Sequence, residues 1–148
     1  FDLPSSFDFD LLLKHLIELK KNGEVNVPLY NYKKHIRRKN TKIIRKKNII
    51  IIEGIFSIFN EEIRKKMSLT VFIDVDENIR LKRRIFRDMK LRARSEESVK
   101  KQFYDSVKPM HEKFIEPTKK IADIIISNNS DCFNKLCSSI TKILISNE

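Results

Sequence analysis

The sequence predicts an α/β fold in which a parallel sheet is flanked by helices and carries an inserted β-hairpin. Three observations predict it. Short apolar runs rich in β-branched residues, the pattern of strands covered on both faces, recur at 48–52, 69–74 and 122–127. Capped amphipathic segments separate them, in the strand and helix alternation of doubly wound sheets. A basic, aromatic stretch over about 25–47 has the composition of a hairpin.

Taken in order, Ser5 and Ser6 cap a helix over about 7–21, in which Phe9, Leu12, Leu13, Leu16 and Leu19 recur at helical spacing. Asn22-Gly23 ends it in left-handed geometry. Val25, Val27 and Pro28 lead into the hairpin, whose aromatic and β-branched residues lie on either side of Arg38-Lys39-Asn40. The isoleucine run ends at Glu53-Gly54, a short helix is expected over Glu61 to Met67, and a second buried strand over Leu69 to Asp74. Asp76 caps a long helix through about Leu91. A further helix begins after Ser95 and is interrupted at Pro109, because proline lacks the amide that a helix interior uses. A third strand covers Ala122 to Ser127, and a last helix from about Asp131 turns Phe133, Leu136, Ile140 and Leu144 inward. There is no internal repeat and no linker, so residues 1–148 read as one domain.

Composition narrows the function. In 148 residues, 31 Lys and Arg face 20 Asp and Glu, a formal net charge of +11, so polyanions or phosphorylated small molecules are natural partners. The apolar run Ile49 to Ile52 is far short of the ~20 residues of a membrane-spanning helix. Cys132 and Cys137 have no zinc-site spacing, and a reducing, cytoplasmic setting is expected. Gly23 and Gly54 lie too far apart to write a GxxxxGK loop or a GxGxxG fingerprint, so no phosphate cradle of either kind exists in these residues.

Three groups of residues carry candidate chemistry. Glu53 follows a buried strand, where an open parallel sheet faces its ligand crevice, and can hold a hydrated Mg²⁺ beside phosphate; the alternative is a surface carboxylate ending a strand. Arg80, Arg83, Arg84 and Arg87, followed by Arg92 and Arg94, make one helix densely cationic, as converging guanidiniums for a triphosphate would, or as a solvated basic face would. From Lys33 to Lys47 every charged residue is basic, and Tyr30 and Tyr32 stand beside them. That suits nucleic-acid binding, or an edge that discourages sheet pairing. His15 and His111 are expected to be structural or exposed.

The blocks FDLPSSFD, PLYNYKKHIR, IIIIEGIFSIF, VFIDVDENIRLKRRIFRD, RAR and VKPMHEKFIEPTKKIADIII, in this order and spacing, together resemble uridine-cytidine kinases over nearly the whole chain. The resemblance implies a P-loop kinase fold, incomplete here. The chain would be the C-terminal two-thirds of that kinase domain, with a lid region at about 84–100. It implies transfer of the γ-phosphate of ATP or GTP to the 5′-hydroxyl of uridine or cytidine with Mg²⁺, in pyrimidine salvage. Asp2 would accept hydrogen bonds from the ribose hydroxyls with help from Arg84, Tyr30 and His35 would read the pyrimidine edge, and Tyr32 would pack on the base. Arg94 and Gln102 match further nucleoside contacts, Arg87 and Arg92 match lid cations on the phosphates, Glu53 the Mg²⁺ acid, and Asp131 the residue near the nucleotide base.

Leu3, Ala93 and the SNNSD segment depart from the family, which has a histidine, a glycine in the lid, and a glycine before the nucleotide-base loop. The family's Walker A loop and general base belong upstream of the matching blocks, so no catalytic residue is expected among these 148 and the chain alone is expected to be inactive. Nucleic acid and membrane are not expected as partners, and a homo-oligomer is compatible with the family. Two other readings are a basic nucleic-acid-binding module and a degenerate, non-catalytic kinase-like subunit.

Overall fold

The computed structural model describes residues 3–31, 36–127 and 130–145, and in the last helix the side chains of 134, 136–143 and 145. After a 3-10 turn at Pro4–Ser6 come helix α1 (Phe9–Asn22), strands β1 (Glu24–Asn31) and β2 (Ile36–Arg45), the short helix α2 (Glu61–Arg64), strand β3 (Val71–Ile73) and helix α3 (Glu77–Arg92). A long, irregular helical run follows: α4 (Glu96–Gln102), a π turn (Phe103–Val107), α5 (Lys108–Met110), a second π turn (His111–Ile115) and a 3-10 stretch (Glu116–Ile121). Strand β4 (Ile124–Ile126) and helix α6 (Ser130–Ile145) end the described chain.

Among the described residues there are two sheets of two strands each: the antiparallel hairpin β1–β2 and the parallel pair β3–β4. The expected helix α1 is present, but its cap is Asp8, whose carboxylate accepts from the Leu11 amide, and Ser5 and Ser6 belong to the preceding turn. Gly23 ends α1 at φ 80°, in the left-handed region a Cβ disfavours, and its amide donates to Leu19 O. The chain then turns directly into β1, and Lys46 N–H closes the base of the hairpin on Gly23 O at 2.7 Å.

The hairpin differs from the sequence expectation in its turn. Arg38, Lys39 and Asn40 are ladder residues of β2, and the reversal falls between Asn31 and Ile36, where Tyr32 and His35 lie outside the described residues. The whole of β2 is exposed, so no buried face selects its pairing register. Pro28 pairs with Thr41 at a position that needs no amide, and the ladder shifts between Pro28 and Tyr30, the bulge that a strand proline commonly accompanies.

The isoleucine run is the larger correction. Residues 49–53 form no strand; Ile49, Ile50 and Ile51 are exposed, Ile51 by 84%. An all-apolar run is buried on both faces only where neighbouring strands flank it. The parallel strands described here, β3 and β4, pair with one another instead. The same small sheet leaves Ile73 exposed, and only Phe72 of β3 is buried. In α6, Ile140 is exposed rather than inward and Leu136 is half-buried, while Phe133 and Leu144 lie outside the described side chains.

Two features hold this sheet and the helix beside it. Thr70 donates from its amide and hydroxyl to Asp123 Oδ2 at 2.7 and 2.6 Å, and Asp123 N–H returns a bond to Thr70 Oγ1 at 3.0 Å, locking the start of β3 to the start of β4. Asp74, at the end of β3, takes Lys119 Nζ at 2.6 Å, and Glu77, in the first turn of α3, takes Lys108 Nζ at 2.9 Å. The run from α4 to Ile121 is thereby pinned along β3 and α3. Pro109 does not break it. In the π turn Lys108 N–H reaches Phe103 O, five residues back, and this wider winding spares the helix the clash and missing bond that proline brings to an α-helical interior. His111 is half-buried, and burial together with the Arg80 charge holds its imidazole below the usual range, in keeping with a structural role.

Aromatic rings join the N-terminal segment to this body: Phe7 meets Phe56 at 5.0 Å, Phe56 meets Phe59 at 5.6 Å, and Phe59 reaches Phe9 and Phe114 at 6.0 and 6.1 Å. Leu81 of α3, Val99 of α4, Phe103, Phe72 and Ile124 are buried, so α3 has an apolar anchor on one side and a free polar face on the other. None of the helices in the described residues is long and apolar enough to cross a membrane.

Replacing Thr70 by Val keeps its shape and removes the hydroxyl from the β3–β4 lock, and is expected to cost about 1 kcal/mol at pH 7 in urea unfolding. The Thr70 donors hold the Asp123 carboxyl below its ordinary value. That contribution is complete above the unfolded carboxylate pKa near ~4 and is lost as pH falls through the lowered folded value. The gap between wild type and variant therefore closes in acid; equal stabilities at pH 7 would contradict the lock.

Candidate functional site

The cationic face of α3 is organised around one residue that composition alone hides. Asp76 caps α3 through bonds from Asn78 N and Ile79 N, which sets the helical phase. At four-residue spacing along one face then come Arg84, Asp88 and Arg92, with Arg87 next to Asp88. The Asp88 side chain is fully buried. Its Oδ1 accepts from Arg87 Nε at 2.8 Å and lies 3.3 Å from Arg92 Nη1, and its Oδ2 lies 3.8 Å from Arg84 Nε and 3.9 Å from Arg94 Nη1.

Arg94 reaches this carboxylate because the chain reverses just after α3. Ala93 stands at φ 51°, ψ 39°, a left-handed conformation in which its Cβ is strained, and the amides of Ala93 and Arg94 both close on Asp88 O. Ser95 then caps α4 by accepting from Ser98 N. At the end of α4, Gln102 Oε1 accepts from Arg84 Nη2 at 3.3 Å and from Arg94 Nη1. Two cationic donors fix which end of the amide faces them, since only the oxygen accepts. Ser98 adds its carbonyl and hydroxyl oxygens to Arg94 Nη2, at 3.1 and 2.8 Å.

Burial alone would raise the Asp88 pKa. The hydrogen bond from Arg87 and the charges of Arg87, Arg92 and Arg84 outweigh it and hold the carboxyl below its usual range, so it is an anion at neutral pH. Exposure divides the cations into two pairs. Arg84 and Arg94, 18% and 28% exposed, are enclosed between Asp88 and Gln102, whereas Arg87 and Arg92, 46% and 55% exposed, offer donors to solvent. Four positive charges against one negative leave a strong attraction for an anion at the outer pair.

Of the residues singled out from sequence, the structure thus brings Arg84, Arg87, Arg92, Arg94 and Gln102 into one cluster. Tyr30 is exposed on β1, paired across the hairpin with Arg37. Arg37 in turn binds Asp8 at 2.9 Å beside an open cleft of about 510 Å³ that Ser5, Ser6, Asp10 and Asn60 also line. The Leu11 amide, then Arg37, lower the Asp8 pKa. Asp2, Tyr32 and His35 lie outside the described residues, as does the side chain of Asp131. Asp88, Asp8 and Arg37 were not anticipated as site residues. For Asp88 a signal existed in the i, i+4 spacing from Arg84 and to Arg92; the Asp8 and Arg37 pairing spans distant segments and left none.

Comparison with known proteins decides the family. Residues 1–132 match the Phosphoribulokinase / Uridine kinase family. The chain belongs to that family. It is 42% identical to the uridine kinase of Clostridium novyi (strain NT) over 151 aligned residues, covering all of this chain and 73% of that protein. It is 45% identical to the uridine kinase of Staphylococcus haemolyticus (strain JCSC1435), covering 97% of this chain and 69% of the relative. For the uridine kinase of Listeria monocytogenes serotype 4a (strain HCC23) the identity is 41%, over 97% and 68%. As a member of the phosphoribulokinase and uridine kinase family the chain stands among phosphotransferases, and its helices, parallel pair and hairpin are in keeping with part of an α/β P-loop kinase.

Kinases of this kind use a nucleotide phosphate donor and, in general, Mg²⁺. The arginine cluster fits the polyphosphate of such a donor. For the ion, Glu53 is a single exposed carboxylate in the loop after the isoleucines, and the described residues hold no group of three His, Cys, Asp or Glu that could ligate a metal. Glu53 fits Mg²⁺ only as one ligand among waters and phosphate oxygens, the usual way this ion is held.

The left-handed Ala93 gives a direct test of the reversal that delivers Arg94. Ala93→Gly is expected to stabilise the chain by about 0.5–1 kcal/mol in thermal or urea unfolding, since relief of Cβ strain exceeds the added backbone entropy. A loss of ~1 kcal/mol, as for glycine inside a helix, would place residue 93 in ordinary helical conformation.

Proposed function

We propose that the chain is the substrate and lid portion of a pyrimidine ribonucleoside kinase, which transfers the γ-phosphate of ATP or GTP to the 5′-hydroxyl of uridine or cytidine in pyrimidine salvage. The observation that carries this reading is the convergence of Arg84, Arg94 and Gln102 with Arg87 and Arg92 on a single buried carboxylate. The first three are the nucleoside-side residues of the resemblance and the last two its phosphate-side residues. Relatives at 41–45% identity over nearly the whole chain carry the name uridine kinase, which supports the same acceptor here.

In this reading Asp2 and Arg84 engage the ribose hydroxyls, Tyr30 and His35 select the pyrimidine edge, Tyr32 stacks, and Arg94 and Gln102 complete the nucleoside side. Arg87 and Arg92 bind nonbridging oxygens of the donor and offset the charge that spreads over them as the γ-phosphoryl group moves. The acceptor oxygen bonds to phosphorus as the bond to the bridging oxygen breaks, the nucleoside diphosphate departs, and the hydroxyl proton passes to a base. Glu53 would hold Mg²⁺ through its carboxylate, and the ion would supply charge neutralisation at the donor phosphates. By the resemblance Asp131 serves near the donor's base, and the protein works in the cytoplasm.

Positioning of the phosphates supplies most of the rate in this chemistry, and these residues contain no GxxxxGK loop. Purified 1–148 is therefore expected to form no UMP from uridine and ATP. A chimera in which residues 1–148 replace the matching region of the Clostridium novyi uridine kinase is expected to phosphorylate uridine and cytidine. In it Arg87→Ala or Arg92→Ala should lower kcat by about 10²-fold. A folded chimera without nucleoside kinase activity, or tight RNA binding by 1–148 that collapses steeply with added salt, would overturn the proposal in favour of a nucleic-acid-binding hairpin.

A further inference from the structure

Asp88 has no assigned part in the reading above, yet it is the most deeply buried ionised group of the cluster and touches all four of its arginines. We propose that Asp88 is the positioning residue of the phosphate site: its carboxylate holds the inner edge of Arg87 and the flank of Arg92, so that their remaining donors face a polyphosphate in a fixed arrangement. The inference rests on the phosphate role of Arg87 and Arg92 and adds the residue through which that role is set up.

Asp88 Oδ1 takes the Nε–H of Arg87, which leaves the two terminal amino groups of that guanidinium for a ligand. The same oxygen draws Arg92, one helical turn on, toward Arg87, against the repulsion between two like charges. The other oxygen faces Arg84 and Arg94, whose positions Gln102 and Ser98 secure independently. The inner arginines therefore act as a wall on the far side of the carboxylate, and the outer arginines are the ones left half-exposed. Flexible guanidiniums that are already placed bind an oxyanion with less loss of side-chain freedom than free ones.

This inference separates from simple charge attraction by its sign. Asp88→Asn removes a negative charge from beside the anion site, so attraction alone predicts tighter anion binding; loss of positioning predicts weaker binding. The probe is inorganic tripolyphosphate, titrated calorimetrically into the 148-residue chain and its variants at fixed ionic strength, with folding checked by circular dichroism. Asp88→Asn is expected to weaken binding about tenfold. Arg87→Lys, which keeps the charge and loses the Nε–H, is expected to do the same. The double variant should be no weaker than either single one, because both remove one linkage.

Unchanged or tighter binding by Asp88→Asn, or additive losses in the double variant, would overturn the role of Asp88 while leaving the phosphate site standing. No binding by the unsubstituted chain would instead sink the phosphate role of the arginines, and the inference with it. Should the variants fail to fold, the unsubstituted chain decides by NMR. The Arg87 Nε–H resonance is expected to exchange slowly with water both before and after tripolyphosphate is added, and rapid exchange in both states would overturn the proposal.

Discussion

The burial of one carboxylate among four guanidiniums is the constraint on which the polar half of this structure depends. An ionised group without solvent is costly unless it is paired, and Asp88 meets that demand only because three separate backbone features deliver four cations to it. Helical spacing brings Arg84 and Arg92, chain adjacency brings Arg87, and the left-handed residue at 93 brings Arg94. The demand runs the other way as well. Without Asp88, four like charges would crowd the junction of α3 and α4, and Gln102 would draw in only Arg84 and Arg94.

That cluster is useful only if α3 is held in place, and the remaining interactions do this. The Thr70 and Asp123 lock joins β3 to β4, and Asp74 and Glu77 bind lysines of the irregular helical run. Leu81, Val99 and Phe103 supply the apolar seam between α3 and the run that contains α4. The π turns let this run pass Pro109 without breaking, so that Lys108 and Lys119, on either side of the proline, both reach the start of α3 and the end of β3.

Much of this was legible in the chain. Asp76 and Ser95 announced the starts of α3 and α4 and Gly23 the end of α1, because capping chemistry is local and each residue satisfies backbone groups within its own turn. The arginines of the site were legible too, as a dense cationic run, and their grouping with Gln102 followed from the resemblance to uridine-cytidine kinases. What went astray depended on partners. The isoleucines at 49–52 read as a buried strand, but an apolar run states only that burial is favourable and cannot name the strands that would cover it. The hairpin turn was placed within β2 because basic and polar residues resemble turn residues wherever they fall. Pro109 signals a break only to α-helical winding, and the π turn before it is not α-helical.

The sequence by itself determined the order and type of most elements, the basic character, the absence of a glycine-rich phosphate loop among these residues, and the family. These follow from spacing, composition and local hydrogen bonding, none of which needs distant residues to meet. Only the tertiary structure decided that the cationic run is divided into two enclosed and two half-exposed arginines, and that Asp88 rather than any of them is the centre. The reason is that burial is a property of what surrounds a residue. Asp88 looks in sequence like one more charge on an exposed helix, and becomes an anchor only once α4 folds back over it.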